Sequence, residues 1–390
     1  MKKVVWGVLS TAKIGTEKVI PAMQKGSACE IRAIASRTLG AAQEAARALG
    51  IPRAYGSYRE LLADPEIEAV YNPLPNHLHV PLTLEAARAG KHVLCEKPIA
   101  ISAAEAAQLR EVAGKVHVME AFMVRFHPQW HHARDLVQAG RVGPLRAVQV
   151  LFSYFNDDPA NIRNQADIGG GALYDIGCYA IVSGRYFFGG EPVRALALLD
   201  RDPKMGTDRT SSALVDFGGG RHLDFTVSTQ SAPHQRVQLL GAKGRIELQI
   251  PFNAPPGGTT RVLVDDGSAL DGSGIAVDTL PPCDQYTLQG DAFSRAVRGE
   301  APLPYGVVAS QKLLSVSFDT GSIRSGSSCR AAPSVAWVQV TASTTVEPAR
   351  IAISPGAAVP GTRENVKLPA TAVAGSSPLS AATADRANTA

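Results

Sequence analysis

The sequence predicts an α/β protein: an N-terminal Rossmann doubly wound parallel sheet, then a C-terminal α+β domain on an open, mostly antiparallel sheet. Two observations carry this. Residues 1–121 alternate short apolar runs with amphipathic stretches, and strands spaced by helices pair in parallel through right-handed crossovers. After residue 121 the rhythm changes to successive strand-like runs, several of them joined by Gly-rich turns such as Gly218-Gly219-Gly220, the pattern of antiparallel pairing.

In order, Val4–Leu9, Ile31–Ser36, Ala69–Asn72, His92–Glu96 and Val116–Glu120 are apolar runs of strand length bounded by Gly, Pro or polar residues, so each is expected as a buried strand. Between them Ile14–Gln24, Ala41–Leu49, Tyr58–Ala63, Val80–Ala89 and Ala103–Ala113 show helical spacing. The second part starts with a helix at Pro128–Ala139. Strands are expected at Leu145–Tyr154, Val193–Leu199, Ser211–Asp216, His222–Thr229, Val237–Leu240, Arg245–Gln249 and Arg261–Val264, with a helix inserted at Ala172–Phe187. Helices at Leu288–Arg298 and Val308–Phe318 would close the second domain. The expected division is 1–121, 122–325 and a poorly ordered tail, 326–390. Ala, Ser, Thr and Pro supply 35 of the last 60 residues, which leaves too little apolar surface to offset the entropy of ordering.

A chain of 390 residues suits two domains, and 45% hydrophobic with 19% charged residues is a globular composition. The net charge of +4 is spread along the chain with no Lys/Arg block among aromatics, which argues against a nucleic-acid partner. The five cysteines stand singly, without a CxxC pair, so neither a metal site nor a disulfide framework is expected, and a reducing compartment fits. The N-terminal apolar run is too short for a signal peptide, and no run approaches the ~18 apolar residues of a membrane span. These features indicate a cytoplasmic protein without a membrane partner.

Ser10-Thr11-Ala12-Lys13-Ile14-Gly15 follows the first strand and opens a helix, where a dinucleotide fold carries G-x-G-x-x-G. Ser10 and Ala12 stand for the first two glycines; the helix N-terminus still offers N–H groups and a positive dipole end to a phosphate. At the end of the second strand, where an NAD enzyme places an acidic residue, stands Ser36-Arg37, while Glu30 lies at the wrong end. Arg37 suits a 2′-phosphate, so NADP(H) is expected as the preferred cofactor, with NAD(H) as the alternative; a solvated surface arginine is the competing reading.

Two further clusters bear chemistry. Lys97, in Cys95-Glu96-Lys97-Pro98, lies just past the C-terminal end of a parallel strand, where open α/β sheets bind ligands. Gly169-Gly170-Gly171 precedes a helix on which Asp175 and Tyr179, four apart, share a face. Glu96 is placed to orient a cofactor ribose or Lys97. Asn76 and His77 flank the crevice, and Arg125 is a candidate for the substrate pocket or for a structural ion pair.

In combination, the Glu-Lys-Pro turn and the Gly-Gly-Gly-x-Leu-x-Asp-x-Gly-x-Tyr cluster resemble the family of glucose–fructose oxidoreductase, inositol dehydrogenases and rhizopine-catabolism oxidoreductases. The resemblance spans about residues 3–315. Tyr at 179 is similar to the branch with D-xylose dehydrogenases and dimeric dihydrodiol dehydrogenases, which mostly prefers NADP. By that resemblance Lys97 and Tyr179 are the catalytic pair, Asp175 is a substrate-side partner, the substrate is a sugar or another small hydroxy or carbonyl compound, and the open sheet forms a homo-oligomer. A phenol of pKa ≈ 10 is a poor base near neutrality unless a cation favours phenolate. Lys97 is expected to supply that cation, lowering Tyr179, and Asp175 to orient a sugar hydroxyl or the lysine. The alternatives are a dihydrodiol dehydrogenase or dicarbonyl reductase, a glycosidase using bound NAD, against which Tyr179 and Arg37 argue, and a non-catalytic NADP-binding sensor.

Overall fold

A computed structural model describes residues 2–306; the helix expected at Val308–Phe318 and the tail at 326–390 lie outside the described residues. The first sheet comprises β1 (Val4–Leu9), β2 (Cys29–Ala35), β3 (Arg53–Tyr55), β4 (Ala69–Asn72), β5 (His92–Cys95) and β6 (Val118–Glu120), all parallel in the order β3-β2-β1-β4-β5-β6. Every residue of β1 and β4 is buried, as strands covered on both faces must be. The helices are α1 (Ile20–Gln24), entered through a π-turn at Gly15–Val19, α2 (Leu39–Leu49), α3 (Tyr58–Ala63), α4 (His79–Arg88) and α5 (Ala103–Ala107). Thr38, Ser57 and Ser102 cap α2, α3 and α5 with side-chain oxygens that accept from backbone N–H groups, and Gly50, at φ +64°, ends α2. The sequence shows no sign of β3, a three-residue, half-buried edge strand. Strand order reverses between β1 and β4, and the crevice above that point is where such sheets take ligands.

The second part comprises α6 (Pro128–Gln138), β7 (Leu145–Phe155), α7 (Cys178–Phe188), β8 (Arg194–Arg201), β9 (Asp208–Asp216), β10 (His222–Ser228), β11 (Gln230–Gly241), β12 (Arg245–Leu248), β13 (Thr260–Asp265), β14 (Ile275–Leu280) and α8 (Gln285–Val297). Its eight strands run β14-β13-β12-β11-β7-β10-β9-β8, antiparallel except for the parallel pair β7–β10. Strand β11 begins earlier than its apolar core, because Gln230–His234 pair with β7 through a register shift that absorbs Pro233. Strand β14 escapes sequence reading because it is a solvent-facing edge. The covered face is aromatic: Trp130 of α6 stacks on Phe187 of α7 at 5.3 Å, and Phe152 of β7 stacks on Phe252 at 4.6 Å. No helix among the described residues is long and apolar enough to cross a membrane.

Sequence reading assigns α8 to the second domain; its first residue, Gln285, donates to the Phe252 carbonyl there, and further along the helix bonds to the first sheet. Asp291 accepts from the backbone N–H groups of Ser27 and Ala28, Ser294 accepts from the Trp6 indole at 3.1 Å, and Gly290 lets the helix approach Met23, whose Cγ a Cβ would meet at 2.8 Å. Arg298, just beyond the helix, grips Glu68 with two guanidinium nitrogens at 2.6 and 2.8 Å. That grip holds the Glu68 carboxyl down at about 2 from an ordinary 4.5. A depressed carboxylate stabilises the fold above its unfolded value and ceases to do so as pH falls through its folded value. Glu68→Gln is therefore expected to cost about 2 kcal/mol at neutral pH. In denaturant titrations the gap from wild type should close as pH falls from 4.5 towards 2. A gap independent of pH would refute the assignment.

Candidate active site

The C-terminal ends of the first sheet, the end of β7 and a strap at 156–171 surround a cavity of about 390 Å³. On the cofactor side, Ser10 adopts φ +133°, a backbone state that favours glycine, and its hydroxyl accepts from the Ala12 N–H at 3.0 Å. Ser10 thus makes the turn that a glycine ordinarily makes, with Thr11 and Ala12 half-buried beside it and Lys13 exposed at the start of the helix. Ile14 lines the cavity. A Cβ on Gly15 would lie 3.6 Å from Pro73 and Tyr71, an ordinary contact, so packing does not require this glycine. Ser36 is buried, with its N–H on the Tyr55 carbonyl at 3.2 Å; Arg37 beside it is exposed and no described carboxylate pairs with it. Glu30, at the far end of β2, is engaged by Arg32.

On the opposite side, the β5 exit holds Lys97 before a cis Lys97–Pro98 peptide. Its ammonium donates to the Asp175 carbonyl at 2.6 Å and to Asp175 Oδ1 at 3.1 Å. Asp175 Oδ2 accepts from the Tyr154 hydroxyl at 2.6 Å and from Arg163 Nε at 3.0 Å. Burial opposes the charge on both Lys97 and Asp175, but each overcomes it through the other: Lys97 is held above its ordinary value and Asp175 well below. Both are therefore charged at neutral pH. Glu96 accepts from the Tyr71 hydroxyl at 2.6 Å and the Lys97 N–H at 3.3 Å, and burial raises its carboxyl.

The glycine cluster holds the strap in place. Gly171, at φ +118°, donates its N–H to the Arg163 carbonyl at 2.8 Å, and a Cβ on Gly170 would fall 2.6 Å from the carbonyl oxygens of Arg163 and Gln165. The helix then opens with a π-turn, Leu173–Gly177, whose Leu173 N–H is capped by Asp208 at 2.8 Å. This wider turn carries Asp175 and is followed by Tyr179 in α7; both line the cavity.

The Tyr179 hydroxyl donates to Met123 Sδ at 3.4 Å, inside a cage of Phe122, Phe152 and Phe252. Lys97 Nζ lies 5.1 Å from the centre of its ring. This corrects the expected electrostatics: Lys97 is bound to Asp175, and burial first, then Tyr286 and nearby acidic groups, raise Tyr179 well above its ordinary value. The phenol keeps its proton at neutral pH.

Asn76 lines the cavity, its amide donating to the Gly169 carbonyl at 2.7 Å. Two candidates are not placed at the cavity wall. His77 is not among the lining residues; its Nδ1 is buried without a partner. Arg125 stacks on Tyr305 at 3.7 Å and is not among the lining residues. Sequence reading misses Tyr154, Arg163, Met123, Tyr286 and His79, which line the cavity; the two ring nitrogens of His79 lie 2.6 Å from the Leu74 and Pro98 carbonyl oxygens, of which a neutral ring donates to one. For Arg163 the only signal is its closeness to the glycine cluster; Tyr154 reads as an ordinary strand residue, and Tyr286 falls just before the helix expected from Leu288. Among the described residues no group of three His, Cys, Asp or Glu is arranged to hold a metal.

A six-stranded parallel sheet in this order, with a charged lysine and a protonated tyrosine at its crevice, is the framework of a nucleotide-dependent oxidoreductase. Residues 4–126 match the oxidoreductase family with an NAD-binding Rossmann fold, and residues 130–247 match the GFO/IDH/MocA C-terminal domain. The chain belongs to the GFO/IDH/MocA oxidoreductase family. It is 41% identical over 304 residues to D-xylose 1-dehydrogenase (NADP(+)) 2 of Haloferax volcanii, covering 76% of this chain and 90% of that one. It is 33% identical to trans-1,2-dihydrobenzene-1,2-diol dehydrogenase of Mus musculus, over 63% of this chain and 74% of the relative. In structure it is similar to a 3-ketoreductase of Actinomadura kijaniata in complex with NADP and TDP-benzene, with a TM-score of 0.75, 29% identity, and coverage of 80% of this chain and 95% of that one.

Proposed function

We propose that this oxidoreductase transfers hydride between NADP(H) and a sugar or a related small hydroxy or carbonyl compound, with Lys97 and Tyr179 as its catalytic pair. The observation that carries the reading is that Lys97 and Tyr179 line one cavity with Ile14 of the phosphate-binding turn. The cofactor fits the residues present: Ser10 makes the glycine-like turn, the helix N-terminus lies behind it, and Arg37, unpaired among the described residues, offers a cation for a 2′-phosphate. When bound, NADPH supplies the hydride. Tyr179 then donates its proton to the substrate oxygen as negative charge develops there, leaving a thioether, which is a weak acceptor, for a strong one. Lys97, kept cationic by Asp175, donates to the same oxygen and stabilises the charge. Asp175 is a positioning residue, since both its oxygens are occupied.

A second reading, reduction of dicarbonyls or oxidation of dihydrodiols, is favoured by the aromatic wall of Phe152, Tyr154 and Tyr286 and by the likeness to the mouse enzyme. A sensor has no need of the pair. Purified protein assayed with NADPH, NADP⁺, NADH and NAD⁺ against sugars, polyols and dicarbonyls decides among them. Turnover with a preference for NADP(H) is expected; binding of NADPH without any turnover would favour the sensor.

The proposal extends to a homo-oligomer, supported by exposed leucines on the outer face of the eight-stranded sheet. Leu196 and Leu214 are direct cross-strand partners, 45% and 48% exposed, and Leu198 is 56% exposed two residues along. An apolar surface of this kind is usually covered by a partner. Wild type is expected to be a dimer or larger in light scattering, and Leu198→Asp with Leu214→Asp to be a monomer. A monomeric wild type would overturn this.

A further inference from the structure

Resting on that reading of the site, we propose that Arg163 and Tyr154 are specificity-determining residues that recognise a hydroxyl on the carbon next to the reacting one. Asp175 sets three groups side by side along one wall of the cavity: Lys97 on Oδ1, Arg163 and Tyr154 on Oδ2. An oxygen bound at Lys97 therefore has its neighbour, one carbon away, facing the other two groups.

Those two groups have unused bonding capacity of complementary kinds. Guanidinium carries five N–H donors, and Arg163 uses only Nε among the described residues; its Nη1 and Nη2 make no bond, and its side chain is 41% exposed. The Tyr154 hydrogen is committed to Asp175, so its oxygen is left as an acceptor. A hydroxyl is both donor and acceptor and satisfies the two at once, whereas a carboxylate or a plain carbonyl oxygen would use the arginine alone. The charged groups lining the cavity, Lys97 and Arg163 against Glu96 and Asp175, leave no surplus cation to call for an anionic substituent. The arrangement is preorganised, because the Arg163 N–H is capped by Asn161 Oδ1 at 3.1 Å and its carbonyl is held by Gly171.

The test compares kcat/KM within two pairs: D-glucose against 2-deoxy-D-glucose with NADP⁺, and 3-hydroxybutan-2-one against butan-2-one with NADPH. Wild type is expected to prefer the hydroxyl-bearing member of a pair by about ten- to a hundred-fold, the worth of a hydrogen bond to a charged group. Arg163→Met should lower both members by loosening Lys97, and should also collapse the ratio to within a few-fold of one. Tyr154→Phe should narrow the ratio in part. A wild-type ratio near one, or a ratio that survives in Arg163→Met, overturns the inference while leaving the proposed function standing. Absence of turnover with both pairs would remove that function and the inference with it. If Arg163→Met does not fold, the wild-type ratio and Tyr154→Phe decide.

Discussion

Tyr179→Phe and Lys97→Met are each expected to lower turnover by about 10²–10⁴-fold. NADPH affinity should change little, since on the proposed reading Ser10–Gly15 and Arg37 hold the phosphates and the adenosine end. Two groups acting on one oxygen form a unit, so the double variant should be scarcely slower than either single one. Because burial holds the Tyr179 proton on and Asp175 holds the Lys97 charge, reduction should be flat across neutral pH and fall only above the ordinary tyrosine range. A basic limb below that range, the expectation from sequence, would show that substrate or cofactor reorders the cluster. Tyr179→Phe removes only a hydroxyl on sulfur, so the thermal midpoint should hardly move. Near-wild-type turnover in that variant would transfer the proton donation to another group.

Arg37→Asp is expected to weaken NADPH by roughly ten- to a hundred-fold through loss of charge-assisted bonds to the 2′-phosphate. NADH should be affected far less. Arg37 is exposed and pairs with no described carboxylate, so the substitution breaks no internal ion pair and stability should be unchanged. Fluorescence titration with both cofactors on one preparation gives the result. Equal losses for the two cofactors would mean that Arg37 does not read the phosphate.

The strands and helices with strong periodicity were legible: β1, β2, β4, β5 and β6 are buried parallel strands whose apolar runs announce them. The edge strands β3 and β14 were not, because they bury little, whereas the edge strand β6 is buried and was read. At the site, Lys97, Asp175 and Tyr179 were found through dense local motifs, and the structure brings them to one cavity. Tyr154 and Arg163 carry no local pattern; they acquire a role only because β7 and the strap converge on Asp175.

By itself the sequence determined what short-range chemistry controls: the alternation that makes a parallel sheet, the turn after β1, the lysine at a strand exit and the helix bearing Asp175 and Tyr179. Tertiary structure alone decided the partners and the protonation. Whether Lys97 lowers Tyr179 depends on a competition between two neighbours, and Asp175, in direct contact with the ammonium, wins over a ring 5.1 Å away. Whether α8 closes the first sheet or the second depends on contacts more than 200 residues apart, such as Arg298 with Glu68. Coulomb energies and desolvation vary with distance and burial, and a linear sequence specifies neither until the chain has folded.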